Sequence, residues 1–454
     1  MEGVKRIVVL GGGESGYGSA VLARVKGFDV FLSDSGQIPF SYKEKLEEWE
    51  IPFEEGGHTQ ELILNADLVI KSPGIPDGVP IIKAIREKKI RIVSEIEFAG
   101  WYNQAKTICI TGSNGKTTTT TLTYEVLKQG GINVGLGGNI GQSFAYQVAT
   151  QKFDWYVLEL SSFQLDGMSD FRADVSVLMN ITPDHLDRYD YRLQNYADSK
   201  FRIVQNQGPE QAFVYCDDDP VTLENLKKHE LQMQVLPFSV KHEVVPGAGL
   251  ENGSIRITMP DESIFEMSID EMQIKGMHNV YNAMAAGISG LWAGVASESI
   301  RETLRTFKGV EHRLEPVAEI EGVLYINDSK ATNVDSVWYA LESMTHPVIW
   351  IAGGTDKGND YAPLMDFARE KVKALVAMGV DNRKLIDSFI GVIPVVKDTH
   401  SLEETMQVAA KLAESGDVVL LSPACASFDL FKNYEDRGRQ FKKWVQNRTG
   451  KKQQ

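Results

Sequence analysis

The chain has 454 residues, 43% of them apolar, and carries a formal net charge of −15. At about 150 residues per domain the length predicts roughly three domains, each with enough apolar content for its own core. The acidic balance excludes a sequence-independent grip on DNA or RNA, which needs a basic face, so phosphates must be met at local sites.

Cys109, Cys216 and Cys425 lie far apart without metal-type spacing and read as reduced thiols. Val4-Lys5-Arg6 leads directly into a strand, which leaves no room for a signal peptide, and no apolar run reaches membrane-spanning length. The expectation is a cytoplasmic protein with no nucleic-acid or membrane partner.

Arg6 to Leu10 is an apolar strand, followed by Gly11-Gly12-Gly13-Glu14-Ser15-Gly16, a helix to Gly27 and a second strand from Asp29 to Leu32. Short apolar runs at Asp67 to Ile70 and Ile90 to Val93, with the turn Ser72-Pro73-Gly74-Ile75-Pro76 between them, extend an open α/β sheet that ends near Phe98. A strand at Thr107 to Ile110 opens a second domain, with Gly112 to Thr117 as its turn and Thr118 to Gln129 as its helix. Strands then recur at Trp155 to Leu158, Val175 to Met179, Phe213 to Tyr215 and Ser254 to Met259, which predicts parallel α/β architecture. From Glu311 the pattern restarts, with strands at Val323 to Ile326, Val348 to Ala352, Ala374 to Met378 and Val418 to Leu421 and a helix over Leu402 to Ser415. The predicted fold is α/β in three domains: a Rossmann-like domain over 1–97, a P-loop ATPase-like parallel sheet over 98–309, and a second Rossmann-like domain over 310–454.

A turn between a strand and a helix N-terminus presents backbone N–H groups and the positive end of the helix dipole to an anion. Gly112 and Gly115 let the backbone approach; Lys116 reaches the outer phosphates and the Thr117 hydroxyl completes Mg²⁺ coordination. The standard loop has a glycine where Ile110 stands, and Gly112 takes its part here. Glu159 leaves the C-terminal edge of a buried strand beside the loop and suits a hard cation such as Mg²⁺. The strand ending at Met179 runs into Asn180 and then Thr182-Pro183-Asp184-His185-Leu186-Asp187, where the His185 imidazole is a candidate ligand or substrate contact. Lys200 reads by composition alone as a solvated lysine. Gly11, Gly13 and Gly16 fit the dinucleotide fingerprint with Asp34 as the ribose acid, so an NAD-dependent dehydrogenase is one reading; the same cradle suits the diphosphate of a UDP-sugar.

Thr111-Gly112-Ser113-Asn114-Gly115-Lys116-Thr117-Thr118, Glu159-Leu160-Ser161-Ser162, Asn180 to Asp187 and Gly276-Met277-His278-Asn279 resemble, in family order across most of the chain, the Mur ligases of peptidoglycan synthesis and their relative folylpolyglutamate synthase. Ser422 to Asp429, with Phe431 to Gly438, is most similar to the branch that adds D-glutamate to UDP-N-acetylmuramoyl-L-alanine; another ligase of the superfamily is the nearest alternative. The resemblance implies ATP and Mg²⁺, an acyl-phosphate intermediate and a monomer. It implies that Gly112 to Thr118, Asn279, Arg313 and Asp328 bind ATP, that Thr117, Glu159, His185 and a carbamylated Lys200 serve the metals, and that Lys116, His185, Lys200 and Lys330 serve catalysis. It places Glu14, Ser15, Gly16, Asp34, Ser35, Ser72, Pro73, Gly74 and Asn139 at the UDP-sugar, and Thr332, Lys357, Ser427 and Tyr434 at D-glutamate. The segment Gly353 to Lys357 and the ring of Tyr434 depart from the usual family pattern, in which a phenylalanine is common at the latter position.

Overall fold

Runs of valine, isoleucine and leucine too short for helices become strands covered on both faces, the burial a parallel sheet requires. The computed structural model describes residues 3–356 and 358–450, apart from the side chain of Asp187; Lys357, expected at D-glutamate, lies outside the described residues. Among the described residues the strands form three sheets. The first has five parallel strands in the order Phe53–Glu54, Asp29–Ser33, Arg6–Leu10, Leu68–Lys71 and Arg91–Val93.

The second sheet has nine strands. Lys106–Thr111 lies between Val175–Leu178 and Trp155–Glu159; Val134–Gly138 forms one edge beyond Trp155–Glu159. On the other side follow Ala212–Cys216, Gln234–Ser239 and Gly247–Glu251, all parallel. The far edge departs from the all-parallel expectation: Ser254–Thr258 and Ile264–Ser268 pair antiparallel through short turns. Their alternating burial, with polar residues facing water, is what an antiparallel edge tolerates and a central parallel strand does not.

The third sheet has six strands ordered Glu315–Ile320, Val323–Asn327, Val418–Leu421, Val348–Ala352, Val372–Met378 and Val395–Thr399, only the first of them antiparallel. By contacts the chain divides into two compact units, Met1–Gln273 with Val280–Phe307, and Ile274–Asn279 with Lys308–Gln454. The first two sheets therefore belong to one unit, and one apolar cluster runs through both, from Ile7 and Leu32 through Phe98 and Phe144 to Tyr156, Leu178 and Phe213.

Two buried carboxylates secure the seam inside that first unit. Glu97, in helix Glu95–Gly100, is fully buried and accepts from the backbone N–H groups of Ser169, Asp170 and Phe171, the Ser169 hydroxyl and the Trp101 indole N–H. Glu95 accepts from the Ser143 hydroxyl at 2.5 Å and the Ala145 N–H at 3.1 Å, while burial raises its pKa above the usual carboxylate range. Glu14 adds a third tie, accepting from the Ser143 N–H at 2.8 Å and the Tyr42 hydroxyl at 2.8 Å. Gly18 is needed here because a Cβ would lie 1.9 Å from Ser143 Oγ.

Candidate functional site

In the first unit, strand Lys106–Thr111 delivers the chain to the phosphate loop and helix Lys116–Gln129 receives it. Gly112 and Gly115 have φ of 149° and 82°, backbone that favours glycine, and a Cβ on Gly112 would lie 2.8 Å from the Met179 Cβ. The loop is held by its neighbour: the Ser113 N–H donates to Asn180 O at 2.9 Å, the Asn114 N–H to Asn180 Oδ1 at 2.8 Å, and the Asn180 amide returns to Asn114 O at 3.2 Å. Ser113 Oγ donates to Thr182 O and accepts from the Thr182 N–H, at 2.8 and 2.9 Å. Asn282 accepts from the Thr119 hydroxyl at 3.0 Å. Sequence reasoning had not given Asn180 or Asn282 a part; both are amides in positions where only contact shows what they hold.

Lys116 Nζ donates to Gly112 O at 2.7 Å and Ser113 O at 2.9 Å. Lys200, on helix Leu193–Phe201, donates to the same Gly112 O at 2.8 Å and is only 1% exposed. Burial, then the Lys116 ammonium, holds the Lys200 pKa well below the ordinary lysine value, against the opposing pull of Asp184, Asp166 and Glu159. The solvated reading of Lys200 is thus replaced by a buried amine of low basicity at the loop.

Glu159 ends its strand 1% exposed. One oxygen accepts from the Asn139 amide at 2.8 Å, and the other is buried without a hydrogen-bond partner. Gly138, at φ 93°, is required beside it, since a Cβ would stand 2.2 Å from Glu159 O. A buried carboxylate oxygen left open, next to a buried low-basicity amine and the threonine-bearing start of a helix, fits a hard divalent cation. His185 sits at φ 52° at the head of the short helix Leu186–Arg188, partly exposed, with Nε2 3.6 Å from Asp184 and its ring edge-on to Phe163 at 5.3 Å.

The amino-terminal turn folds as a dinucleotide cradle does. Gly11 has φ 97°, and a Cβ on Gly16 would lie 1.8 Å from Gly11 O. Asp34 accepts from the Gly12 N–H at 2.6 Å and the Gly36 N–H at 2.7 Å, so its carboxylate fastens the turn as well as bordering it. Ser72 and Pro73 are half-buried across from the glycines, and Ser35 and Gly74 are exposed.

The second unit gathers a further set. Asp328 is 4% exposed, accepts from the Ser422 hydroxyl at 2.7 Å and the Leu314 N–H at 3.1 Å, and is pushed up to about 7 by burial, with Arg313 among the charges opposing that rise. Desolvation carries the half-buried His278 down to about 4, and the Arg313 charge adds to that fall. Asn279, expected from the central domain, groups instead with this unit: its amide donates to Lys275 O at 2.8 Å, and the neighbouring His278 ring packs 6.0 Å from Tyr339. Lys330 Nζ lies 5.5 Å over the Tyr434 ring, Thr332 is half-buried beyond the same turn, and Ser427 is 2% exposed. In the same unit an open cavity of about 890 Å³ is lined by Gly354, Thr355, Asp356, Lys384 and Asp429 among others. The buried Arg437, Glu95 and Glu97 are features sequence reading missed: glutamates in the first turn of a helix read as solvated dipole partners, and an arginine in a polar helix reads as a solvated cation, until burial is known.

Comparison with known proteins gives these sites a family. Residues 110–290 match the Mur ligase middle domain, 312–425 the Mur ligase glutamate ligase domain and 6–79 the MurD N-terminal domain. The chain is 56% identical over 444 residues to the UDP-N-acetylmuramoylalanine--D-glutamate ligase of Bacteroides fragilis, covering 97% of this chain and 99% of that one. It is 53% identical over 443 residues to the ligase of the same name from Christiangramia forsetii, covering 98% and 99%. Among solved structures it resembles the UDP-N-acetylmuramate-alanine ligase of Thermotoga maritima, with a TM-score of 0.64 at 20% identity over 98% of this chain and 99% of that one. It also resembles the MurF ligase of Thermotoga maritima in complex with ADP, with a TM-score of 0.59 at 16% identity over 92% and 95%. The chain belongs to the Mur ligase family.

Proposed function

We propose that the chain is an ATP-dependent amide ligase that adds D-glutamate to UDP-N-acetylmuramoyl-L-alanine through an acyl phosphate, in cytoplasmic peptidoglycan precursor synthesis. The observation that carries this reading is the phosphate loop with Lys116 and Lys200 on one carbonyl, beside the half-open Glu159 carboxylate, in a chain 56% identical over nearly its full length to a ligase of that name.

A carboxylate does not condense with an amine in water unless its oxygen becomes a leaving group. ATP therefore transfers its γ-phosphoryl to the L-alanyl carboxylate, the amine of D-glutamate attacks the carbonyl carbon, and phosphate departs with the C–O electron pair. The backbone N–H groups of the loop cradle the phosphates, and Lys116 turns from its two carbonyls to the charge that grows on the transferred group. Glu159, Thr117, His185 and Lys200 are the residues that would hold Mg²⁺. The metal supplies charge neutralisation on phosphate oxygens. Lys200 suits carbamylation because the uncharged amine is the form that attacks CO₂, and burial favours that form; the product would put a buried anion where the amine stood.

Glu14, Ser15, Gly16, Asp34, Ser35, Ser72, Pro73, Gly74 and Asn139 are assigned to the UDP-sugar. Asn279, Arg313 and Asp328 are assigned to ATP, with Lys330 near the acyl phosphate. Thr332, Lys357, Ser427 and Tyr434 are assigned to D-glutamate. The three domains, 1–97, 98–309 and 310–454, then serve the UDP-sugar, ATP and the amino acid in turn, in a monomer. Among the described residues no helix is long and apolar enough to cross a membrane.

Phosphate release measured with ATP, UDP-N-acetylmuramoyl-L-alanine and a panel of amino acids tests the assignment. D-Glutamate should stimulate turnover and L-glutamate should not. Stimulation by another amino acid in its place would move the chain to a different branch of the family, and reduction of a nicotinamide without ATP turnover would overturn the ligase reading.

A further inference from the structure

Arg437 lies in helix Tyr434–Gly450 and is 1% exposed. Burying a guanidinium is costly unless its charge is met, and proteins normally meet it with a carboxylate in bidentate contact. Here every close acceptor is neutral. Nε donates to Ser329 Oγ at 3.0 Å, Nη2 to Ser329 O at 2.9 Å, and Nη1 and Nη2 both reach Cys425 O at 3.3 Å. Among the described residues no carboxylate stands within ion-pair distance of it; Asp328 and Asp429 act on it only from further away.

The two acceptors are informative by their place in the chain. Ser329 separates Asp328 from Lys330, and its hydroxyl also donates to Tyr434 O at 2.8 Å. Cys425 lies between Ser422, which donates to Asp328, and Ser427. The fork of the guanidinium thus spans two turns that arrive from strands Val323–Asn327 and Val418–Leu421, adjacent and parallel in the third sheet. Both turns carry residues assigned above to D-glutamate, and the helix that bears Arg437 begins at a third, Tyr434. An apolar side chain of similar volume would fill the space; it would not fix the separation of the two turns. A lysine gathers its donors on one nitrogen at the end of a flexible stem, so it could not hold Ser329 and Cys425 at the separation that the three coplanar guanidinium nitrogens set.

We propose that Arg437 is a positioning residue that sets the width of the amino-acid pocket by locking the Ser329–Thr332 turn to the Cys425–Ser427 turn. It touches no substrate in this role. The proposal rests on the amino-acid reading of the second unit, so its test has one arm that depends on that reading and one that does not.

For Arg437→Lys, steady-state phosphate release should show a KM for D-glutamate raised at least about tenfold, with the KM for UDP-N-acetylmuramoyl-L-alanine within about twofold of the parent. In Arg437→Ala, millimolar guanidinium ion should recover part of the lost affinity, whereas it should do nothing for Arg437→Lys. Independently of any substrate, hydrogen exchange in the Lys variant should be faster at residues 329–332 and 424–427 and unchanged in strand Val348–Ala352. Equal KM values for all substrates in parent and Lys variant, or exchange that rises uniformly across the third sheet, overturns the proposal. If D-glutamate fails to stimulate even the parent while exchange is localised as stated, the clamp stands and the amino-acid reading falls. Should the Ala variant not fold, the Lys variant carries both arms.

Discussion

Replacing Asp328 by asparagine should stabilise the protein at neutral pH and leave it nearly unchanged in acid. Asp328 is buried, and desolvation lifts its pKa from 3.8 to about 7 against the help of the Ser422 hydroxyl and the Leu314 N–H. In the fold it therefore keeps its proton up to about neutrality, while in the unfolded chain it loses it near 4. Between those values the native state binds more protons than the unfolded one, so the contribution of this group to stability falls as pH rises and is at its lowest above the folded pKa. Each pKa unit is worth about 1.4 kcal/mol, so the full penalty approaches roughly 4 kcal/mol as an upper bound. Asparagine matches the shape and can accept from Leu314 and donate to Ser422, so it escapes the titration without leaving a hole. Urea unfolding of parent and Asp328→Asn at several pH values would read the difference between them. The difference should grow by about 2–3 kcal/mol from about pH 5 to about pH 7 and then level off. A difference that stays flat across that window would refute the account of a raised Asp328, whatever its absolute size.

Two further outcomes follow from single residues. Glu97→Ala strips the acceptor from three backbone N–H groups, a hydroxyl and an indole N–H, and should cost on the order of 3–5 kcal/mol, read as a lowered calorimetric Tm; a loss under about 1 kcal/mol would show that water takes over those donors. Enzyme equilibrated with ¹³C-bicarbonate should give a carbamate resonance that Lys200→Arg lacks, and its absence in saturated parent enzyme would remove the modified lysine from the mechanism.

What could be read from the sequence divides along physical lines. Strands made of β-branched runs, such as Val348–Ala352 and Val418–Leu421, declare themselves because a both-sides-buried strand must be apolar throughout. Val134–Gly138 did not, since Val-Gly-Leu-Gly-Gly reads as a turn. Its glycines answer to neighbours: a Cβ on Gly135 would lie 2.7 Å from the Tyr156 ring. Glu315–Ile320, an antiparallel edge strand with Pro316 near its start and Glu315 and Glu319 along it, was hidden because an edge tolerates a proline and charges that a central strand would not. Among site residues, the phosphate loop was legible because its chemistry is local in sequence. Lys200 was legible only through family resemblance, because its burial depends on packing against segments far along the chain. Arg437 lay within a recognised run, yet nothing in the run says that its partners are two carbonyls on separate turns.

The seam formed by Glu97, Glu95 and Glu14 has a consequence for dissection of the molecule. Two sheets that look like separate modules when counted along the chain share one apolar cluster and one set of carboxylate ties, two of them buried. Cutting between them would uncover leucine and phenylalanine faces on both fragments and leave the backbone amides of Ser143, Ala145 and the 169–171 loop with no acceptor. Autonomy in this protein is a property of the cluster of side chains, and a recombinant fragment inherits it only by keeping both halves of that cluster.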